Sequence, residues 1–115
     1  MKREPILLDM SVTEENAGIL FGLRRLEDVR VIGISLCFGA VSLRSSHRSL
    51  SGLLELFGWD VPVAFGAERP LRRDYLLPVS ETDISEAING LQIDTKRLCR
   101  TVEADGADFL YEKLL

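Results

Sequence analysis

The residues best equipped for chemistry crowd into one stretch, LLDMSVTEEN, from Leu7 to Asn16. An apolar run stops at Asp9, and Ser11, Glu14, Glu15 and Asn16 follow within a few positions. Carboxylates this dense suit a hard cation, which takes about six to eight oxygen ligands and makes bound water acidic enough to attack. The same residues also suit a helix start. Ser11-Val-Thr-Glu14 fits a capping box, with acids in the first turn to complement the helix dipole. Which use applies depends on the elements that position them.

Pro5-Ile6-Leu7-Leu8 is a short, fully apolar run of the kind expected of a buried parallel strand. A helix is expected after it, to about Asp28, with apolar residues repeating at Ala17, Leu20, Leu23 and Leu26. VRVIGISLCF, Val29 to Phe38, is rich in β-branched residues and reads as the second strand, ended by Gly39. From Ser42 to Phe57, the residues Leu43, His47, Leu50, Leu54 and Phe57 fall on one helical face, and Gly58 sits where a C-terminal glycine belongs. Asp60 to Gly66 supplies a third short strand whose Pro62 suits an edge or a strand start.

The order β-α-β-α-β with short connections gives an α/β fold, a three-layer, Rossmann-like parallel sheet with helices on its faces. Beyond Gly66, AERPLRRDYLLPVSETD reads as a long loop. A short helix is expected at about 82–88, a turn at Asn89-Gly90, and a closing helix from about Ala104 to Leu115. In such a sheet, ligands sit beyond the carboxyl ends of the strands. Those ends are Asp9 onward, Gly39-Ala40 and Gly66.

Composition narrows the functions. At 115 residues, 46% hydrophobic and 28% charged, the chain suits one globular domain. Its net charge of −4, with acids and bases interspersed, gives a nucleic-acid partner no electrostatic support. The three apolar residues before Asp9 are too few for a signal-peptide core or a membrane span, so a cytoplasmic chain without a membrane partner is expected. Cys37 and Cys99 lack ligand-type spacing and read as reduced structural thiols. His47, the only histidine, reads as a core or interface residue, and Trp59 as a packing residue. Arg24-Arg25 and Arg72-Arg73 read as solvated surface, and Gly33, Gly39 and Gly66 form no dinucleotide fingerprint.

Three runs together resemble a family. LLDMSVTEENAGIL stands where the inosine–uridine-preferring nucleoside hydrolases carry an Asp-Thr-Asp-Pro-Gly-x-Asp-Asp loop after their first strand. VRVIGISLCFGAVSL resembles their second strand and its Gly-Asn-Val turn, and VPVAFGAERPL their Pro-Val-x-x-Gly-x-x-x-Pro-Leu segment. EAINGL, Glu86 to Leu91, stands where the family has His-Gly-x-x-Gly-Leu. The resemblance covers about residues 5–91 of a single domain, 1–115.

It implies calcium-dependent hydrolysis of the N-glycosidic bond of a ribonucleoside. Carried over by position, Asp9 is the retained aspartate, implied as catalytic base and metal ligand. Glu15 stands for a ribose-binding aspartate at one methylene greater reach, and Asn16 for a metal-binding aspartate, with an oxygen but no charge. Ser11, Val12, Thr13, Ala40 and Glu86 replace the remaining motif residues. Ala40, in place of the family's ribose-binding asparagine, can make no side-chain hydrogen bond. The chain also stops before the family's next core strand and later loops, as a truncated product or a fragment would. Calcium is therefore expected to bind weakly or not at all, and the hydrolase activity to be impaired or absent. The rival expectation is a non-catalytic assembly module, a homo-oligomer or one half of a pair with a partner chain, joined through the exposed sheet edge.

Overall fold

A computed structural model describes residues 3–72, 79, 81, 84 and 97–115. Its elements are β1 (Glu4–Met10), α1 (Glu14–Arg25), β2 (Val29–Leu36), α2 (Leu43–Phe57), β3 (Val63–Phe65) and α3 (Gly106–Leu114). The strands form one parallel sheet in the order β1-β2-β3. Leu8, Ile34 and Val63 lie side by side across it, as do Met10, Leu36 and Phe65. Because side chains alternate along a strand, these six share one face. Against that face pack Ala17 and Leu20 of α1 and Leu50, Leu53, Leu54 and Phe57 of α2, which together make the core. Phe21 meets Phe57 edge-on at 5.0 Å, so α1 and α2 also pack on each other.

The opposite face carries α3. Gly33 and Ser35 of β2 point there, and the Phe109 ring lies so near Gly33 that a Cβ on the glycine would stand 2.7 Å from it. A Cβ on Gly106 would stand 2.8 Å from Gly66 Cα and run into the Ser35 hydroxyl. Both glycines are therefore required by close approach, and helices on both faces complete the three layers read from the sequence.

The chain also reaches the outer side of β3. Thr101 bridges Val63 in parallel, and the Val102 N–H donates to the Val63 carbonyl at 2.7 Å. The start of a neighbouring strand is thus present, which the apolar runs did not reveal.

α2 organises the interior. Ser42 caps it by accepting from the Ser45 N–H at 3.1 Å, and Gly58 closes it at φ 68°, a left-handed conformation that favours glycine. The expected apolar face is there, but so is a second buried set, Ser45, Ser46, Ser49 and Ser51, each at most 3% exposed. Three of these hydroxyls accept backbone N–H groups from distant segments: Ser46 from Val12 at 2.9 Å, Ser49 from Ile84 at 2.9 Å and Ser51 from Cys99 at 2.8 Å. Short hydroxyl side chains let these backbones come close and still satisfy their donors.

Several boundaries differ from the sequence reading. α1 is capped by Thr13, which accepts from the Asn16 N–H, so the capping box at Ser11 is not formed. Ser11 packs instead against Gly39, and its carbonyl accepts from Asn16 Nδ2 at 2.7 Å. α1 stops at Arg25, short of Asp28, because the Asp28 carbonyl is taken by the Glu4 N–H at 2.7 Å as the sheet begins. β2 ends at Leu36, beyond which the Cys37 N–H turns to Met10 and the Phe38 N–H to Ala67. Ile84, expected in a short helix, is helical and buried, while the rest of that helix, the Asn89-Gly90 turn and most of the long loop lie outside the described residues. Among the described residues, no helix is long and apolar enough to cross a membrane.

Replacing Ser46 by Ala leaves the buried Val12 N–H without its acceptor. The expected loss is about 1–3 kcal/mol, read as a lower urea midpoint with an unchanged slope. Ser49→Ala, which orphans the Ile84 N–H, should fall in the same range.

Candidate functional site

The carboxyl ends of the strands are tied to one another by backbone bonds. The Cys37 N–H donates to Met10 at 2.9 Å, Phe38 to Ala67 at 3.1 Å, and Gly66 to Leu36 at 2.6 Å. Ser11 lies against Gly39, where any side chain would collide with it, so the loops after β1 and β2 sit in contact. This end of the sheet is where ligands of a parallel α/β fold are held.

A depression of about 390 Å³ opens there, lined by Leu8, Asp9, Met10, Ser11, Asn16, Ile19 and Cys37. Asp9 comes from the second-last position of β1, in register with Ser35, and is exposed. Asn16 comes from the first turn of α1 and is held by its Nδ2 bond to the Ser11 carbonyl. Two of the three expected site residues, Asp9 and Asn16, are therefore brought together by the crossing from β1 to α1. Glu15 lies on the exposed side of α1 outside the lining of the depression, and Glu86 is outside the described residues. Ala40 follows Gly39 on the surface, with no polar atom to offer.

The electrostatics of the depression show in Cys37. Burial pushes its thiol above the ordinary value of 9.0, and the negative charge of Asp9 pushes it in the same direction, against a lowering backbone hydrogen bond. Cys37 thus stays protonated at neutral pH beside the one carboxylate of this site. Raised folded-state values favour folding below the unfolded pKa, so this contribution is lost as pH climbs through the thiol's raised value.

Calcium asks more of the site than these residues hold. The donor set around the depression is one carboxylate, one amide and one hydroxyl, against the roughly six to eight oxygens that the ion takes. Among the described residues, no three of His, Cys, Asp and Glu come together in a group that could hold a metal ion. The described donors therefore do not fit a calcium ion by themselves.

The residues that sequence reasoning set aside make a second constellation. His47 Nε2 lies 2.8 Å from the Cys99 carbonyl, and its ring stands edge-on to Phe65 at 5.0 Å. It therefore pins the 97–102 segment to α2. Trp59 packs edge-on against Phe57 at 5.1 Å, and Arg24 covers the same ring. Both cysteines are free.

No protein-family model matches the sequence, and no curated protein matches it. Solved structures do. A plant nucleoside hydrolase, the PpNRh1 enzyme, superposes with a TM-score of 0.78 at 19% identity over 96% of this chain and 35% of its own. A purine-preferring ribonucleoside hydrolase from Gardnerella vaginalis superposes with a TM-score of 0.71 at 19% identity, over 96% of this chain and 36% of its own. At that identity the likeness is one of fold. The chain spans about a third of the length of these structures, and within that span it has the α/β fold of a nucleoside hydrolase.

The local claim at the head of α1 is testable. Thr13→Ala should cost about 1 kcal/mol through loss of the cap, measured by chemical denaturation. Ser11→Ala leaves the cap in place and should cost clearly less. The reverse order would restore Ser11 as the capping residue.

Proposed function

We propose that this chain is a nucleoside hydrolase-like domain. Its ancestral chemistry is hydrolysis of the N-glycosidic bond of ribonucleosides to ribose and free base, and this chain alone is impaired or inactive in it. The observation that carries the reading is the superposition on two nucleoside hydrolases over 96% of the chain. It gains support from the position of Asp9 at the carboxyl end of β1, in one depression with Asn16.

In that reaction the bond from ribose C1′ to the base nitrogen breaks, water oxygen adds to C1′, and a base takes the water's proton. Asp9 is the residue proposed for the proton, and Asn16, through its amide oxygen, for a place beside a cation. Glu15 is proposed for a ribose hydroxyl, which it reaches only if its side chain swings from the exposed side of α1 toward the depression. One carboxylate leaves little charge to oppose an oxocarbenium-like centre or to retain calcium, hence the proposed impairment.

The test is base release from inosine and uridine, with the melting temperature followed with and without calcium. The expected result is release at the uncatalysed rate, unchanged by Asp9→Asn, and no calcium-dependent rise in Tm. Release that needs calcium and is abolished by Asp9→Asn would overturn the impairment and establish the chain as an enzyme.

A second reading is an assembly module, in which the chain pairs with its own copy or with a partner chain. It is favoured by β1, which among the described residues has a neighbouring strand on one side only. Sedimentation at micromolar concentration decides it. A dimer supports the reading, and a monomer that stays monomeric as concentration rises contradicts self-pairing.

A further inference from the structure

On the side of α2 away from the strand-end loops, a depression of about 530 Å³ runs between the end of α2, the 59–62 segment and residues 97–102. Cys99 lines it, half-buried, with Ser51 and Trp59. Three bonds fix Cys99 in place. Its N–H donates to Ser51 Oγ at 2.8 Å, the Ser51 hydroxyl donates to the His47 carbonyl at 2.6 Å, and His47 Nε2–H donates to the Cys99 carbonyl at 2.8 Å. The imidazole is within hydrogen-bonding reach of the Cys99 side chain as well. Phe65, edge-on to the ring, holds its orientation.

Charged groups of both signs surround the thiol. Glu55 of α2 and Asp60 line the depression opposite Arg97 and Arg100. Arg97 faces Glu55 at 3.9 Å, whereas Arg100 has no ion-pair partner among the described residues. A molecule carrying both a carboxylate and an ammonium matches this alternation.

We propose that Cys99 is a nucleophilic thiol, oriented by His47 and Ser51, that undergoes exchange with low-molecular-weight disulfides of the amino-acid type seated in the depression beside Trp59. The Cys99 thiolate attacks one sulfur of the disulfide, a new S–S bond forms to Cys99, and the old S–S bond breaks. The departing thiolate takes up a proton from solvent. One disulfide is consumed and one formed, so no outside oxidant is needed. Before attack the thiol gives its proton to solvent. His47, its Nε2 proton already committed to the Cys99 carbonyl, gains its second proton at Nδ1 and then stands as an imidazolium beside the thiolate.

The two cysteines are opposite in electrostatic setting, which supplies an internal control. Burial raises the Cys99 thiol, but hydrogen bonds from His47 and Ser51 and the charge on His47 outweigh it and bring the thiol below the ordinary value. The hydrogen bond with the Cys99 side chain raises His47 against the lowering effect of its burial. Cys37 is raised by burial and by Asp9. The proposal does not depend on the nucleoside reading, since none of its residues lines the strand-end depression.

The experiment is site-resolved labelling of the full chain with iodoacetamide across pH, followed by incubation with oxidised glutathione and peptide mass spectrometry. At pH 7, Cys99 should label about ten-fold faster than Cys37 and carry the glutathione adduct. His47→Asn should slow Cys99 several-fold and leave Cys37 unchanged. Equal labelling rates, a Cys99 rate indifferent to His47→Asn, or no adduct at Cys99 would each overturn the proposal. Should His47→Asn fail to fold, the wild-type pH profiles decide: a midpoint for Cys99 below that of Cys37 supports it, and coincident midpoints overturn it.

Discussion

The structure depends on three serine hydroxyls of one helix. Ser46, Ser49 and Ser51 accept the backbone N–H groups of Val12, Ile84 and Cys99, across sequence separations of 34, 35 and 48 residues. Buried donors must be paired, and a backbone group left without its partner costs about 1–3 kcal/mol. By meeting them from the side of α2, the chain brings three irregular segments against the sheet's core face without burying an unsatisfied group. The segment at Cys99 gains most. Once Ser51 and His47 hold it, Thr101 falls beside Val63, and the chain crosses to the far face, where Gly106 and Phe109 settle on β2.

This arrangement separates what holds the fold from what would do chemistry. The core residues, from Leu20 through Ile34 and Leu36 to Leu50 and Phe57, lie between the sheet and its two helices. Asp9, Glu15 and Asn16 lie at the rim, with two of the three exposed. Loss of carboxylates at such a rim leaves packing untouched, so a fold can outlast a cation site built on its loops. Asp9 retains its place because β1 puts it there, whatever surrounds it.

Much of the fold was legible because burial leaves a local mark. Ile6-Leu7-Leu8 and the β-branched run from Val29 announced parallel strands, and Gly58 announced the end of α2. What was not legible is non-local. Four serines on α2 carry no apolar signal, and their use appears only when Val12, Ile84 and Cys99 arrive beside them. Ser11 looked like a cap because its type and spacing fit, yet the loop spends it against Gly39 and leaves the capping to Thr13. At the site, Asp9 and Asn16 followed from the resemblance. Glu15 carries the right charge but faces away, and the pairing of His47 with Cys99, separated by 52 residues, had no trace in the spacing.

The most direct measurement is native-state amide hydrogen exchange of the full chain with and without calcium. If α2 holds the three segments as one unit, the Val12, Ile84 and Cys99 amides should exchange with the same opening free energy as the β2 core amides, and calcium should change none of them. Separate, weaker openings of the three segments, or protection at Ser11 to Asn16 that rises with calcium, would contradict a scaffold that α2 holds together without a metal.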